Sequence, residues 1–383
     1  MIEFSLNEEQ KALQEMSREF AEKEMKPNAA KYDKGEEFSE DVMQKAFEAG
    51  FLTCQVPEEY GGGGLSDLDT VIISEELAAG CAGMYTTMMV NSLAYSPIIH
   101  FGNDEQKRRF LTPQTEKMSF ASFCLTEREA GSDASAQKTK AKKVGSEYVI
   151  NGSKCFISNG SIASQYVVFA NSQPERGIRG ISAFIVPRDT PGLIIGKEED
   201  KMGHRASNTA EIIFEDVRIP EENLLVKEGM GFIIAMKTLD RTRAPVGAAG
   251  VGVARAALEY AVEYSRTRVQ FGKPIALFQH TSFKIAQMAT EINAARLLVW
   301  NAAWLLDNDL PSGKESSMAK MYGSDMAMKV TTDALQILGG YGYMRDYPME
   351  KLMRDAKLLQ IYEGTNEIQL MIIAREVIGP IKR

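Results

Sequence analysis

The segment Gln360-Ile361-Tyr362-Glu363-Gly364-Thr365-Asn366-Glu367 sets one carboxylate, Glu363, beside an isoleucine and a tyrosine, with a glycine directly after it. A carboxylate held against apolar side chains loses hydration, which disfavours its charged form and raises its pKa. A general base that takes a weakly acidic proton from carbon near neutral pH needs that property. Other chemistries find less support. The 3 histidines (His100, His204 and His280) are scattered, which argues against a metal site or a histidine-centred triad. The 4 cysteines (Cys54, Cys81, Cys124 and Cys155) form no C-x-x-C pair. Their spacing excludes a zinc ribbon or a thioredoxin-like motif and suits a reducing compartment.

Three further segments accompany Glu363: Leu125-Thr126-Glu127-Arg128-Glu129-Ala130-Gly131-Ser132-Asp133, Arg268-Val269-Gln270-Phe271-Gly272-Lys273-Pro274 and Gln336-Ile337-Leu338-Gly339-Gly340-Tyr341-Gly342. In this order and at these distances the four together resemble the acyl-CoA dehydrogenase family of flavoproteins, from about Phe4 to about Arg375. The resemblance implies α,β-dehydrogenation of an acyl-CoA thioester. The α-hydrogen leaves as a proton to Glu363 and the β-hydrogen as a hydride to the flavin of FAD, with electrons passed on to an electron-transfer flavoprotein. The cofactor carries the hydride chemistry while the protein supplies position, electrostatics and the base. Acidity at the α-carbon also needs charge stabilisation at the thioester oxygen. The family draws this from the backbone N–H of the base and a flavin hydroxyl, and Gly364 would permit that approach.

The same resemblance assigns the remaining roles. Phe123, Leu125, Thr126, Gly131 and Ser132 would contact the flavin, Thr126 near N5 and Ser132 at the pyrophosphate or the CoA side. Phe156, Ile157 and Ser158 form a second flavin segment, where many relatives have Trp in place of Phe156 and Thr in place of Ser158. Arg128-Glu129 departs from the Pro-Gly pair usual at that turn and adds two charges beside the site. Arg268, Gln270, Phe271, Phe278 and Gln279, with Gln336, Leu338, Gly339 and Gly340, would reach the FAD of a neighbouring subunit, and Thr365 and Glu367 complete the cofactor set. Asp240, Arg243 and Arg375 would hold the CoA portion beside Ser132, Tyr362, Glu363 and Gly364. A site shared between chains implies a dimer at least, and the family is commonly a homotetramer, a dimer of dimers. The acyl pocket is expected from Tyr85 to Leu93 and around Tyr341, Tyr343 and Tyr362. There Met84, Met88 and Met89 would give an adaptable lining. No arginine stands in that run for a dicarboxylate, so a short-to-medium or alicyclic acyl group is expected. Two other readings share these residues: an enoyl-CoA reductase working in the reverse direction, and an acyl-CoA-binding relative without turnover.

These residues need elements to position them. At 383 residues the chain has room for two or three domains. The 44 basic and 52 acidic residues include no basic block, which argues against nucleic acid as a partner. No apolar run approaches the length of a membrane span. The opening Met1-Ile2-Glu3-Phe4-Ser5 shows no leader pattern, so the expected location is cytoplasmic, or the mitochondrial matrix for a processed chain.

Three sections are expected: 1–118 helical, 119–226 a small antiparallel β-barrel or sandwich, and 227–383 a helical bundle of four-helix type, a mostly α protein with a central β domain. In the first, Ser5 to Glu8 has capping-box spacing, and helices fit Glu40 to Ala49, Asp67 to Ala79 and Glu105 to Leu111. Gly61 to Gly64 lacks a following Lys and Ser/Thr and reads as a turn rather than a phosphate loop. In the second, Val149-Ile150, Tyr166 to Phe169, Ser182 to Val186 and Ala210 to Val217 are short β-branched and aromatic runs without intervening helices. In the third, Ile285, Met288, Ile292, Ala295, Val299, Ala302 and Leu306 step by three and four along one helix, preceded by a helix near Ala244 to Thr267. The glycines from Gly247 to Gly252 follow no strand, which excludes a dinucleotide loop and points to close helix contact.

Overall fold

The structure is a computed structural model and describes residues 5–35 and 38–380. The first section contributes α1 (Glu8–Phe20), α2 (Ala29–Gly35), α3 (Glu40–Glu48), α4 (Asp67–Gly80), α5 (Ala82–Phe101), α6 (Asp104–Phe110) and α7 (Thr112–Glu116). The capping box of α1 is not at Ser5. Asn7 is the cap: its side chain accepts from the Gln10 N–H at 2.8 Å, and Gln10 Oε1 accepts from the Asn7 N–H at 3.2 Å. Asn caps as well as Ser, and Asn7 stands directly before the first helical residue. Helix α5 has no counterpart among the expected helices. Sixteen of its residues, from Ala82 to Ile98, are buried.

The middle section is one seven-stranded sheet: β1 (Ala121–Cys124), β2 (Lys140–Val144), β3 (Glu147–Ser158), β4 (Gln165–Asn171), β5 (Ile181–Pro187), β6 (Leu193–Glu198) and β7 (Thr209–Pro220). The order is β1-β4-β2-β3-β7-β6, with β5 also on β4. The sheet is mixed rather than wholly antiparallel, because β1 and β2 both run parallel to β4. The chain leaving β1 makes a long excursion before β2, so β1 pairs with a strand distant in sequence instead of forming a hairpin. Residues alternate across β4. Val167 and Phe169 face α5 and the start of the next long helix, while Tyr166, Val168 and Ala170 pack with Tyr148, Ile150 and Phe214.

The last section holds α8 (Gly231–Thr267), the hairpin β8 (Val269–Gln270) and β9 (Lys273–Pro274), α9 (Gln279–Asp307), α10 (Gly313–Leu338), α11 (Met349–Leu359) and α12 (Asn366–Ile378). The expected start of α8 near Ala244 is too late, for the helix begins at Gly231 and continues through Pro245. On α9, Met288, Ile292, Ala295, Val299, Ala302 and Leu306 are buried, matching the stepped stripe. The glycines of α8 allow close approach: a Cβ on Gly252 would fall 2.1 Å from the Glu75 carbonyl oxygen of α4. Through such contacts α4, α8, α9 and α10 share one core, so the first and last helical sections are packed as a unit. Among the described residues no helix is long and apolar enough to cross a membrane.

Candidate active site

Glu363 lies between α11 and α12 in a loop closed by a hydrogen bond from the Asn366 N–H to the Gln360 carbonyl at 3.1 Å. Its backbone is left-handed at φ 54°, and Gly364 follows at φ 91°. A non-glycine residue in that region is strained and persists only where its surroundings hold it. The holding groups are visible. Gln369 Nε2 donates to the Glu363 carbonyl at 3.3 Å and to the Gly364 carbonyl at 2.9 Å, and Lys320 Nζ donates to the Gly364 carbonyl at 2.8 Å.

Among the described residues Glu363 Oε2 has no hydrogen-bond partner, and the Glu363 N–H meets no protein acceptor. Burial pushes the carboxyl up to about 7, against the opposing pull of the Thr242 hydroxyl, the Lys320 ammonium and the Arg243 guanidinium. The expectation that apolar neighbours would raise this group therefore holds, with desolvation as the main cause.

Glu363 faces a cavity of about 1170 Å³. Its walls come from every section. Tyr85, Thr86, Met89, Val90 and Leu93 project from α5, Thr242, Arg243 and Val246 from α8, and Thr126, Ser132, Phe156 and Ser158 from the sheet. The sheet-side wall is pinned by Lys154, which is wholly buried. Its Nζ donates to Glu127 Oε1 at 2.7 Å, to the Leu125 carbonyl at 3.0 Å and to Gln137 Oε1 at 3.0 Å. Arg128 and Glu129 form the tip of a tight turn there, closed by reciprocal Glu127 and Ala130 backbone hydrogen bonds at 3.1 Å.

A second pin fixes the stretch Lys201 to Gly203, which also lines the cavity. Burial pushes the His204 imidazole below its ordinary pKa, and the ring sits 2.9 Å from both Thr86 Oγ1 and the Asp355 carbonyl. The His204 N–H donates to Asp355 Oδ1 at 2.7 Å. Lys351 Nζ reaches the other oxygen of Asp355 at 2.5 Å, so that buried carboxylate carries its own counter-charge.

Comparisons with known proteins agree along the whole chain. Family models described as acyl-CoA dehydrogenase N-terminal, middle and C-terminal domains match residues 7–117, 122–217 and 229–378. The chain belongs to the acyl-CoA dehydrogenase family. It is 47% identical over 378 residues to an acryloyl-CoA reductase (NADH) of Anaerotignum propionicum, covering 98% of this chain and 96% of that one. A solved structure of butyryl-CoA dehydrogenase from Megasphaera elsdenii superposes with a TM-score of 0.96 at 44% identity, covering 99% of this chain and 100% of that one. A chain in the structure reported for the electron transferring flavoprotein of Acidaminococcus fermentans gives a TM-score of 0.97 at 48% identity, with 99% and 100% covered. The protein is thus an oxidoreductase of an FAD-dependent family that acts on acyl-CoA.

Of the residues the acyl-CoA dehydrogenase motifs single out, Phe123, Leu125, Thr126, Gly131, Ser132, Phe156, Ile157, Ser158, Arg243, Tyr362, Glu363, Gly364 and Thr365 line the cavity. Asp240, Glu367 and Arg375 do not. Asp240 pairs with Arg243 at 2.5 Å, and Glu367 and Arg375 lie exposed on α12. Arg268, Gln270, Leu338, Gly339 and Gly340 gather in a separate hollow of about 510 Å³. Phe271, 95% exposed, stands on the β8–β9 turn with its ring 6.1 Å from Phe278. Gln279 and Gln336 are exposed nearby on α9 and α10.

Part of the expected acyl lining is elsewhere. Tyr341 lies in the smaller hollow under the Arg268 guanidinium, because Gly339 at φ 60° turns the chain away after α10, and Tyr343 is exposed. Met84 and Met88 face the core and only Met89 lines the cavity.

Residues that sequence reasoning missed are Thr242, Lys154, Glu127, His204 and Lys320. For Lys320 a signal existed. It interrupts the α10 stripe of small buried residues Ser316, Ala319, Gly323, Ser324 and Ala327, where a lysine has no reason to be buried for packing alone.

The sites suit a flavin on three observations. Phe156 presents a large apolar face, 65% exposed at the cavity wall. Thr126, Ser132 and Ser158 bring hydroxyl-bearing side chains to the same cavity lining. Among the described residues the buried Thr242 hydroxyl and Glu363 Oε2 make no hydrogen bond, although the hydroxyl faces the carboxyl closely enough to favour its ionised form. Among the described residues no cluster of His, Cys, Asp and Glu could hold a metal ion.

Proposed function

We propose that the protein binds FAD and a short-to-medium or alicyclic acyl-CoA and catalyses α,β-dehydrogenation to the 2-enoyl-CoA, with Glu363 as the base that takes the α-proton. The observation that carries this is the Glu363 carboxyl, pushed up to about 7 by burial, with Oε2 unpartnered among the described residues at the wall of the cavity. A base matched to neutral pH can accept a carbon-bound proton. Its own N–H lacks a protein acceptor among the described residues and can hold the thioester oxygen as negative charge develops there. Bound FAD would supply the acceptor for the β-hydride. On this reading Thr126, Ser132, Phe156 and Ser158 hold and face the flavin, and Arg243 holds the CoA portion. Tyr85, Met89, Val90, Leu93 and Val246 keep water from the acyl chain.

The separate hollow around Arg268 and Gly339 supports a cofactor shared with a second copy, and the exposed Phe271 and Tyr343 beside it support a dimer, assembled into a homotetramer. Sedimentation of the FAD-loaded protein tests this, and a monomeric holoenzyme overturns it. An electron-transfer flavoprotein is the proposed acceptor, supported by the Acidaminococcus fermentans relative.

An anaerobic titration with butyryl-, octanoyl- and cyclohexanecarbonyl-CoA, read at the oxidised-flavin band, tests the function and the acyl preference together. Selective bleaching is expected. A yellow protein that none of them bleaches argues for another acyl group or for the second reading, an enoyl-CoA reductase, which the acryloyl-CoA reductase relative favours.

A further inference from the structure

Lys320 is wholly buried in α10, yet among the described residues its ammonium meets no carboxylate within hydrogen-bond distance. Two of its three N–H groups are placed on neutral oxygens: the Gly364 carbonyl at 2.8 Å and Asn366 Oδ1 at 2.9 Å. Burying a charge on such partners is costly, and a methionine would fill the same stripe. Both acceptors belong to the loop that carries Glu363. The rest of that loop is tied to the same stretch of α10. Asn366 Nδ2 donates to Ser324 Oγ at 2.9 Å and Asp325 Oδ1 at 2.7 Å, and Gln360 Nε2 donates to Asp325 Oδ1 at 2.6 Å. The ammonium therefore grips the peptide immediately after two consecutive left-handed residues, Glu363 and Gly364, where an unheld chain would relax.

We propose that Lys320 is the positioning residue of the catalytic carboxylate: its ammonium clamps the Gly364 carbonyl and the Asn366 amide, holds Glu363 in its strained turn at the cavity wall, and sets a positive charge beside the base. This rests on the reading of Glu363 as the base.

The electrostatics around the pair agree. The Glu363 carboxyl faces Lys320 of α10 and Arg243 and the Thr242 hydroxyl of α8, all of which favour its ionised form. The phenols of Tyr85 on α5 and Tyr362, both kept neutral by burial, face it as well. Lys320 in turn faces Glu363, Asp325, Arg243 and Glu367 of α12, and burial brings it down to about 8. Asp240 neutralises much of Arg243 at 2.5 Å, which leaves Lys320 as the less compensated cation beside the base.

The test compares FAD-loaded Lys320→Met and Lys320→Gln with the parent and with Glu363→Gln. Flavin reduction by butyryl-CoA is followed against pH. A 3-thia acyl-CoA, whose sulfur replaces the β-carbon so that the α-proton can leave but no hydride can, gives the proton affinity directly through the enolate-to-flavin band. For Lys320→Met the expected result is a reduction rate ~10–100-fold lower at pH 7, a pH midpoint about one unit higher in both assays, and a substrate KM within ~3-fold of the parent. Lys320→Gln can still donate to Gly364, so it should recover part of the rate while its midpoint stays high.

A Lys320→Met protein that reacts per bound flavin at the parent rate with the parent midpoint overturns the inference, even if it is less stable. Should that variant fail to fold, Asn366→Ser, which removes one acceptor of the clamp, is read the same way: a slower reduction supports the inference and a parent-like reaction overturns it. If Glu363→Gln bleaches as fast as the parent, the base reading itself falls and takes the inference with it. An inert Glu363→Gln beside an unaffected Lys320→Met sinks the inference alone.

Discussion

Two wholly buried lysines hold segments that line one cavity, and they do so on different terms. Lys154, on the sheet side, has a carboxylate for a partner, and all three of its N–H groups are used. Burial pushes the Glu127 carboxyl up, but Lys154 and the N–H groups of Lys138 and Thr139 hold it below the ordinary carboxylate range. Charge is neutralised locally, and nothing is left over for the cavity. Lys320, behind the base loop, grips only neutral oxygens among the described residues, so its charge is felt by the carboxylate at the cavity wall. The first arrangement is a closed staple, and the second couples the scaffold to the chemistry. Lys351 and Asp355 under His204 repeat the closed kind.

The largest expected effect removes the group to which the open lysine couples. Glu363→Gln keeps size and polarity but cannot accept the α-proton, and flavin reduction should fall by about two to four orders of magnitude while FAD remains bound. Stopped-flow absorbance of the holoenzyme mixed with substrate measures this. A rate within tenfold of the parent would remove Glu363 from the base role, and with it the functional half of the comparison.

Next come the two staples themselves. Glu127→Ala leaves the Lys154 ammonium buried without its counter-charge and should cost about 3–5 kcal/mol of stability. Lys320→Met removes a buried charge whose partners are neutral, and should cost about 1–3 kcal/mol, mainly for the two oxygens left unmet. Urea unfolding of the holoproteins ranks them. Equal losses would mean that the two lysines do the same structural work.

How far the molecule could be read from its sequence follows from the same distinction between local and distant partners. Glu363 was legible less from its neighbours Ile361 and Tyr362, since Ile361 is half exposed, than from the four motifs that accompany it in fixed order. Helix α9 was legible because its buried stripe alternates with exposed residues. Helix α5 was not, since it is buried around most of its circumference and its apolar residues show no helical period. The parallel pairing of β1 with β4 depends on partners more than forty positions apart, Ala121 against Gln165, which strand-forming composition does not encode. Lys320 was overlooked despite its place in a stripe of small residues, for the same reason. A lysine in a helix ordinarily reads as a solvated face, and the oxygens that hold it lie in the loop before α12. Tyr341 and Tyr343 were placed in the acyl pocket by nearness to a motif, and the left-handed Gly339 sends them elsewhere.

A smaller effect separates rate from stability along the pH axis. Glu363 rises to about 7 in the folded protein from an ordinary 4.5, so the folded state binds the extra proton between these values. Its stabilising contribution is full below 4.5 and is lost as pH rises through about 7, on the order of 3 kcal/mol at most. The rate runs the opposite way, rising with pH through the same midpoint as the base ionises. Lys320 has the reverse sign to Glu363. Its folded value is lowered from 10.5 to about 8, so its contribution is present above 10.5 and lost as pH falls through 8. Urea midpoints from pH 4.5 to pH 7 should therefore decline in the parent and flatten in Glu363→Gln. Identical slopes in the two proteins would mean that the carboxyl keeps its ordinary affinity after folding.

The smallest effect belongs to the departure at Arg128-Glu129. Glu129 and Lys138 form an ion pair on the solvent side of the turn, both largely exposed. The turn's shape comes from the Glu127 and Ala130 backbone bonds and from Glu127 reaching the buried Lys154, and neither involves the Glu129 side chain. An exposed pair gains little over its separate hydration. Glu129→Ala should then leave the melting temperature, FAD content and reduction rate of the holoenzyme at parental values. A marked loss of FAD would show that the surface pair, and not the buried lysine beneath it, sets the flavin-facing loop. The sheet-side staple would then be as open to its surroundings as the one behind Glu363.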